Sequence, residues 1–294
     1  MILASTPRGV VRLRDELLHT WQNYGHLFVS QTYANLTSPQ GEFVSLERSE
    51  LLWVSADMCH LLNTAEKSFP VETILREDDL PSDFGFVVFE ETLSGLDAVR
   101  TDDEPIHIRA MAWALARVEG KFAIHLSFYV DSNRYGHVSS LGHLAYAGSS
   151  EWFFDTAADY FFPEIYEPRG LSAQALESIV EDRRRIASLL MLLHQPLVVE
   201  GIAKAGRQER RDAERRGREA PDVRILTLRE IRRDHDDVEH RPTNWSHRWL
   251  VSGHWRNQWY ATEQVHRPIW IAPFIKGPSE KELFIRPTVR AWRR

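Results

Sequence analysis

The stretch Trp245-Ser-His-Arg-Trp-Leu-Val-Ser-Gly-His-Trp-Arg-Asn-Gln-Trp-Tyr260 alternates with a period of two. Its odd positions hold Trp245, His247, Trp249, Val251, Gly253, Trp255, Asn257 and Trp259. Its even positions hold Ser246, Arg248, Leu250, Ser252, His254, Arg256, Gln258 and Tyr260. Successive side chains of a strand point to opposite faces, so the alternation predicts one half-buried strand. One face then buries indoles. The other presents Arg248, Ser252, His254, Arg256 and Gln258 as a cationic surface suited to an anion. Strand patterns at 268–275 and 283–291 follow it, which makes the end of the chain a small β-rich unit.

Upstream, the patterns are mixed. Val10 to Trp21 carries Leu13, Leu17 and Leu18 at helical spacing. Residues 30–48 are polar and contain Gly and Pro, and read as loop or a short hairpin. Leu51 to Val54 reads as a short strand, with Ser55 as the cap of a helix through Met58, Leu61, Leu62 and Ala65. Phe84 to Glu91 is apolar on both parities and reads as a strand buried on both faces. Ile106 to Val118 and Lys121 to Val130 form a hairpin around Glu119-Gly120. The aromatic-rich stretch from Leu141 to Tyr166 reads as core packing with one short helix. Residues 172–205, with Ser172 as cap and Leu176, Ile179, Ile186, Leu189, Leu190 and Leu193 as apolar stripe, give the strongest helical pattern, ended or kinked by Pro196. Val223 to Leu228 reads as a strand. The expected fold is α+β. It comprises a mixed acidic body over 1–168, a helical arm over 169–222 and a basic, Trp-rich β unit over 223–294.

Charge divides along the same lines. Residues 1–200 hold 15 Lys and Arg against 29 Asp and Glu, a net of −14, whereas 241–294 hold 10 against 3, a net of +7. A basic end on an acidic body points either to docking on that body, or on a second copy, or to contact with phosphate. Cys59 is the only cysteine among 294 residues, so no internal disulfide is available and a reducing cytoplasm is expected. No apolar run approaches the roughly 20 residues of a membrane helix, and no secretory signal is expected.

Four constellations carry chemistry. The even face of the Trp-rich strand, with Lys276, offers guanidinium forks and a point charge for phosphate, with aromatic groups between them to stack bases. Its alternative is a solvated face over a small core. His247, His254 or His266 with Arg256 or Lys276 supply the residue types of a metal-independent ribonuclease, with His254 as acid or base. The seven-residue spacing of His247 and His254 puts those two on opposite faces, short of a bulge near Gly253. His235 with Glu239, and Asp236 with His240, have metal-ligand spacing on a helix, but no apolar face anchors such a helix, so no metal is expected. The segment 204–218 holds Arg207, Arg210, Arg211, Arg215, Arg216 and Arg218, broken by Glu209, Asp212 and Glu214. Six arginines in so short a span could cross a nucleic-acid backbone, but the acids interrupt them, and opposite charges at i, i+4 hold a solvated or dimerising helix together as the default. Phosphate-loop, dinucleotide-binding, nucleophile-elbow and zinc-protease motifs are absent from the sequence, and no cofactor is expected.

The runs His247-Arg-Trp-Leu-Val-Ser-Gly-His-Trp-Arg-Asn-Gln258 and His266-Arg-Pro-Ile-Trp-Ile-Ala-Pro-Phe-Ile-Lys-Gly-Pro278 resemble a signature of uncharacterised proteins from actinobacteria and their phages and mobile elements. Leu51 to Met58 and Asp79 to Ser82 resemble the same group. The resemblance implies a host context and no chemistry. The expected function is a non-enzymatic nucleic-acid-binding or regulatory protein acting through Arg248, Ser252, His254, Arg256, Gln258 and Lys276. The alternatives are an interaction or oligomerisation protein without nucleic acid, and the ribonuclease toxin.

Overall fold

The computed structural model describes residues 6–28, 38–65, 68–70, 79–93, 107–118, 121–134, 142–153, 184–193, 198–215, 217, 220–228, 248–277 and 283–284. The chain forms two compact units, Met1–Arg229 and Glu230–Arg294. The class is α+β, as the sequence leads one to expect.

The first unit is built on a seven-stranded mixed sheet. Its strands are β1 (Glu50–Val54), β2 (Phe84–Leu93), β3 (Ile108–Val118), β4 (Lys121–Asp131), β5 (Leu144–Phe153), β6 (Val198–Ala203) and β7 (Val223–Leu228), in the spatial order β5-β4-β3-β2-β1-β7-β6. β1 pairs in parallel with both β2 and β7. The other neighbours run antiparallel. The helix α3 (Ala56–Ala65) carries the chain from β1 across to β2 and packs against β2 and β7. It starts where expected, with Ser55 Oγ accepting from Met58 N at 3.4 Å.

Two helices, α1 (Gly9–Tyr24) and α2 (Pro39–Arg48), cover one face. Val10, Leu13, Leu17 and Trp21 of α1 and Leu46 of α2 meet one parity of the strands: Leu51, Trp53, Phe86, Val88, Ala112 and Tyr129. The opposite parity, including Leu52, Val54, Val87, Phe89, Met111 and Trp113, is buried as well. The doubly apolar patterns of β1 and β2 follow from this two-sided burial. Each such side chain contributes about 1.5–3 kcal/mol by leaving water.

Three elements differ from the sequence reading. Residues 39–48 form helix, not loop: Ser38 Oγ accepts from Gly41 N at 3.0 Å, and Pro39 occupies the first turn. A Ser-Pro pair is a helix start, because the hydroxyl satisfies a free amide and proline lacks one. Leu144–Phe153 is a strand, bulged against β4 at Phe128/Tyr129, with Gly148 at φ 139°. The arm expected over 169–222 is interrupted. Residues 184–192 form helix α4, but β6 then pairs with β7 as an edge of the main sheet, followed by α5 (Arg207–Arg215). Val198, Val199 and Ile202 are β-branched, which suits this segment to a pleated strand. β7, expected to open the C-terminal unit, belongs to this sheet. Ser172, Leu176 and Ile179 lie outside the described residues.

A buried polar trio fixes α2 to the sheet. Glu42 of α2 accepts at Oε1 from Ser127 Oγ at 2.6 Å and pairs with His125 Nε2 at 2.8 Å. All three are at most 3 % exposed. Glu42 Oε2 is buried without a hydrogen-bond partner among the described residues. Beside the trio, Trp21 Nε1 donates to the Tyr129 hydroxyl at 3.3 Å. Burial, and then the nearby Glu42, push that phenol well above its ordinary value.

Glu16 of α1 ties the start of β5 in place. It accepts from His143 N at 3.1 Å and pairs with His143 Nδ1 at 2.8 Å. Burial pushes the Glu16 carboxyl up, but the bonds from His143 and Arg12 outweigh it and leave it below its ordinary value.

Three outcomes follow from this packing. The Trp113 ring lies over Gly85, directly across from it on β3, where a methyl group would collide with the indole. Gly85→Ala is expected to cost about 1–3 kcal/mol or more in a urea titration, since a fully packed ring has no room to yield. Ser127→Ala removes one of two groups facing a buried carboxylate and is expected to cost about 1–3 kcal/mol in the same titration. Glu16, with its folded value lowered, contributes stability that is present above its unfolded value near 4.5 and is lost as pH falls through the folded value. Urea midpoints measured between pH 7 and pH 3 should therefore fall less steeply for Glu16→Gln than for the native chain.

Candidate functional site

The second unit holds two small sheets. Strand β8 (Arg248–Val251) pairs with β11 (Phe274–Lys276) and β12 (Leu283–Phe284), and β9 (His254–Tyr260) pairs with β10 (Val265–Ile271). The single strand expected over 245–260 is thus two, interrupted at Ser252-Gly253. Gly253, at the interruption, is closely packed. A side chain at Gly253 would meet the Trp270 ring at 2.5 Å and Pro273 at 3.0 Å, so only glycine lets this backbone pass.

The break redistributes the expected site. His254, Arg256 and Gln258 remain on one face of β9, as the alternation requires. Arg248 opens β8 opposite Leu283, in the other sheet. Lys276 lies there too, opposite Trp249, with its ammonium 6.0 Å from the indole centroid. Ser252 falls in the connection, and its carbonyl accepts from His254 Nδ1 at 3.0 Å. A carbonyl only accepts, so that bond needs the proton on Nδ1. Arg267 joins the β9 face instead, paired across from Gln258 and bound to Glu263 at 2.7 Å. Trp245, Ser246 and His247 lie outside the described residues.

The indole face is divided as well. Trp255 and Trp270 pair across the strands, both buried, with centroids 5.6 Å apart at 70°. Further along the hairpin, Trp259 is 46 % exposed and leans on His266, 4.8 Å away. Tyr260, on the opposite face, is 37 % exposed. Two strands bury little, so among the described residues little covers the indole nearest the turn. The four-residue turn closes with Gln264 at φ 52°. Arg256 is exposed, and among the described residues no carboxylate pairs with it. The turn end of the hairpin therefore exposes an aromatic ring on each face, and Arg256 lies on the Tyr260 face nearer the base.

The residues expected to serve as acid and base lie on different strands and faces. His254 and Lys276 belong to different sheets, and His266 shares a face with Trp259, whose odd position is opposite in parity to His254. A general acid and base need contact with one scissile group.

The first unit contains three arrangements that resemble sites. Glu42, His125 and Ser127 have the composition of a nucleophilic trio, but His125 Nε2 faces both partners, with Ser127 Oγ at 3.1 Å. A working trio uses the two ring nitrogens separately, and needs substrate access that these buried groups lack. The N-terminus of α3 is a natural anion site. Its Ala56 N–H is already taken by the Glu90 carboxylate at 2.8 Å. Nearby, burial pushes the Cys59 thiol up to about 11, which leaves it unreactive. Finally, α1 and α5 line open grooves rich in carboxylates, including Asp15, Glu16, Glu209 and Asp212. No group of three His, Cys, Asp or Glu among the described residues is placed to hold a metal ion. The segment His235 to His240 lies outside them. No described helix is long and apolar enough to cross a membrane.

No family model and no curated protein matches the chain. Among solved structures, it is similar over 91 % of its length, and 85 % of the other chain, to the crystal structure of AcrVA2, at 12 % identity and a TM-score of 0.44. A likeness at that level is too loose to transfer a site or an activity.

Proposed function

We propose that this is a nucleic-acid-binding protein that contacts single strands through the β9–β10 hairpin. The observation that carries the reading is the exposed Trp259, backed by His266, at the turn end of a hairpin that on its other face exposes Tyr260 and Arg256, which has no carboxylate partner among the described residues. An indole exposed in this way keeps its hydration cost until something planar covers it. Unstacked bases supply such planes, and phosphates between them suit the guanidinium. A duplex hides its base faces, so single strands are the better partner. The basic balance of residues 241–294 adds a term that steers polyanions to this unit.

Anisotropy of labelled single-stranded and duplex oligonucleotides, titrated with the full chain at two salt concentrations, tests the reading. Single strands should bind more tightly than duplexes, and binding should weaken with salt. Trp259→Ala should lower single-strand affinity by about 1–3 kcal/mol, the usual value of one stacked base. A native chain that binds no oligonucleotide at low salt, or a Trp259→Ala chain that binds as well as native, overturns it.

A further inference from the structure

Two of the three acids that break the arginine run at 204–218, Glu209 and Asp212, lie apart from the arginines once the helix forms. Successive residues of a helix turn by about 100°, so α5 sorts its charges by position. Arg207, Arg210, Arg211 and Arg215 fall within one arc of about 140°, together with Glu214. Glu209 and Asp212 fall outside that arc, are half-buried, and line the grooves shared with α1. Ala213, the one apolar residue of the helix, faces the same way and lines one of these grooves.

The outer arc is left exposed and cationic. All four of its arginines are exposed, as is Lys204 just before the helix. Arg215 reaches Asp212 at 3.3 Å. Arg210 bonds the Gly206 carbonyl at 3.4 Å. Among the described residues, Arg207, Arg210 and Arg211 have no carboxylate partner. This occurs in a chain whose first 200 residues carry a net charge of −14. Unpaired like charges on one face repel, and a helix with no buried residue gains little from packing to offset that.

The chemistry of the arc decides the partner. It contains no apolar and no aromatic residue. Protein interfaces centre on apolar or aromatic anchors and deplete charge at their core. Nucleic-acid interfaces are polar and strongly positive, and guanidinium forks fit phosphate oxygens. Arg207 to Arg215 spans about 12 Å along the axis, enough to follow several phosphates of one strand. We infer that the outer face of α5 is a second nucleic-acid contact, one that grips the phosphate backbone without reading bases. It stands on its own residues, in the other unit, and does not require the hairpin reading.

The test compares three full-length proteins with the native chain: R207E/R210E/R211E, R207K/R210K/R211K and Trp259→Ala. The substituted arginines are exposed, and circular dichroism with thermal melting verifies that each variant is folded. Each protein is titrated into labelled single-stranded and duplex 30-mers at several salt concentrations. The charge-reversed chain should lose at least tenfold in affinity for both forms. Its dependence of log K on log salt should flatten by about two units or more, since each lost phosphate contact removes about 0.7–0.9. The lysine variant should keep most of both. Trp259→Ala should lose single-strand affinity with little change in salt slope, so the two surfaces are separable.

Unchanged affinity and slope in the folded charge-reversed chain overturn the α5 inference, whatever Trp259→Ala does. A native chain that binds no oligonucleotide overturns both. Loss of binding in the charge-reversed chain, with Trp259→Ala behaving as native, leaves α5 standing and removes the hairpin. If light scattering shows that charge reversal changes the oligomeric mass while oligonucleotide binding is unaltered, the face is a contact between copies, and the inference is wrong.

Discussion

The first unit depends on a five-residue strand that hydrogen-bonds in parallel on both of its edges. Parallel neighbours cannot be joined by a tight turn, so each needs a crossover that spans the sheet. α3 makes the crossover from β1 to β2. The chain reaches β7, on the other edge of β1, only after β2 to β6 have formed. Pairing on both edges buries β1 laterally, and helices then cover it above and below. Leu51, Leu52 and Val54 are accordingly almost without solvent contact. The strands outside this centre run antiparallel, because hairpins suffice once the parallel core exists.

Burial this complete forces every polar group inside it to find a partner. Glu42, His125 and Ser127 satisfy most of one another's needs in a region that α2 seals from water. Such a cluster is a weak source of net stability, since desolvation offsets much of the attraction. Breaking it is costly, because it leaves a carboxylate buried with too few donors. The composition of a catalytic trio thus arises here from a packing requirement. Trp113 shows the same economy: its ring fills the space above Gly85, while its N–H reaches the Ser82 carbonyl at 2.9 Å.

The surfaces that bear on function are those where the fold withholds partners. The acidic first unit contains many carboxylates, yet the helix periodicity of α5 turns two of its own acids toward α1 and leaves arginines facing out. In the second unit, the hairpin buries Trp255 against Trp270 near its base and leaves Trp259 open near its turn. Both follow from geometry that repeats every 3.6 or every two residues. Neither has a cover among the residues of its own unit that the structure describes.

The sequence by itself determined most local elements of the first unit. The apolar spacing of α1, the Ser55 cap, the two-sided strands β1 and β2, and the antiparallel pairing of β3 with β4 depend on neighbours a few residues away. Such periodicities are written directly in the chain. The start of α2 was written there too, in Ser38-Pro39, but the surrounding polar residues masked it. What the tertiary structure alone decided were matters of distant pairing. β6 and β7 join the main sheet because β1 offers β7 an open parallel edge, and no local pattern encodes that. The candidate site changed for the same kind of reason. Alternation kept His254, Arg256 and Gln258 together, but the strand is interrupted at Ser252-Gly253, where the Trp270 ring packs over the glycine, and Arg248 and Lys276 lie in another sheet. On α5 the residues and a candidate contact with a nucleic-acid backbone were legible, but not which face of the helix meets water. Periodicity separates Glu209 and Asp212 from the arginines, but only the placement of α1 beside those two acids decided that the arginines face water, because which face of a charged helix is exposed depends on what packs against the other.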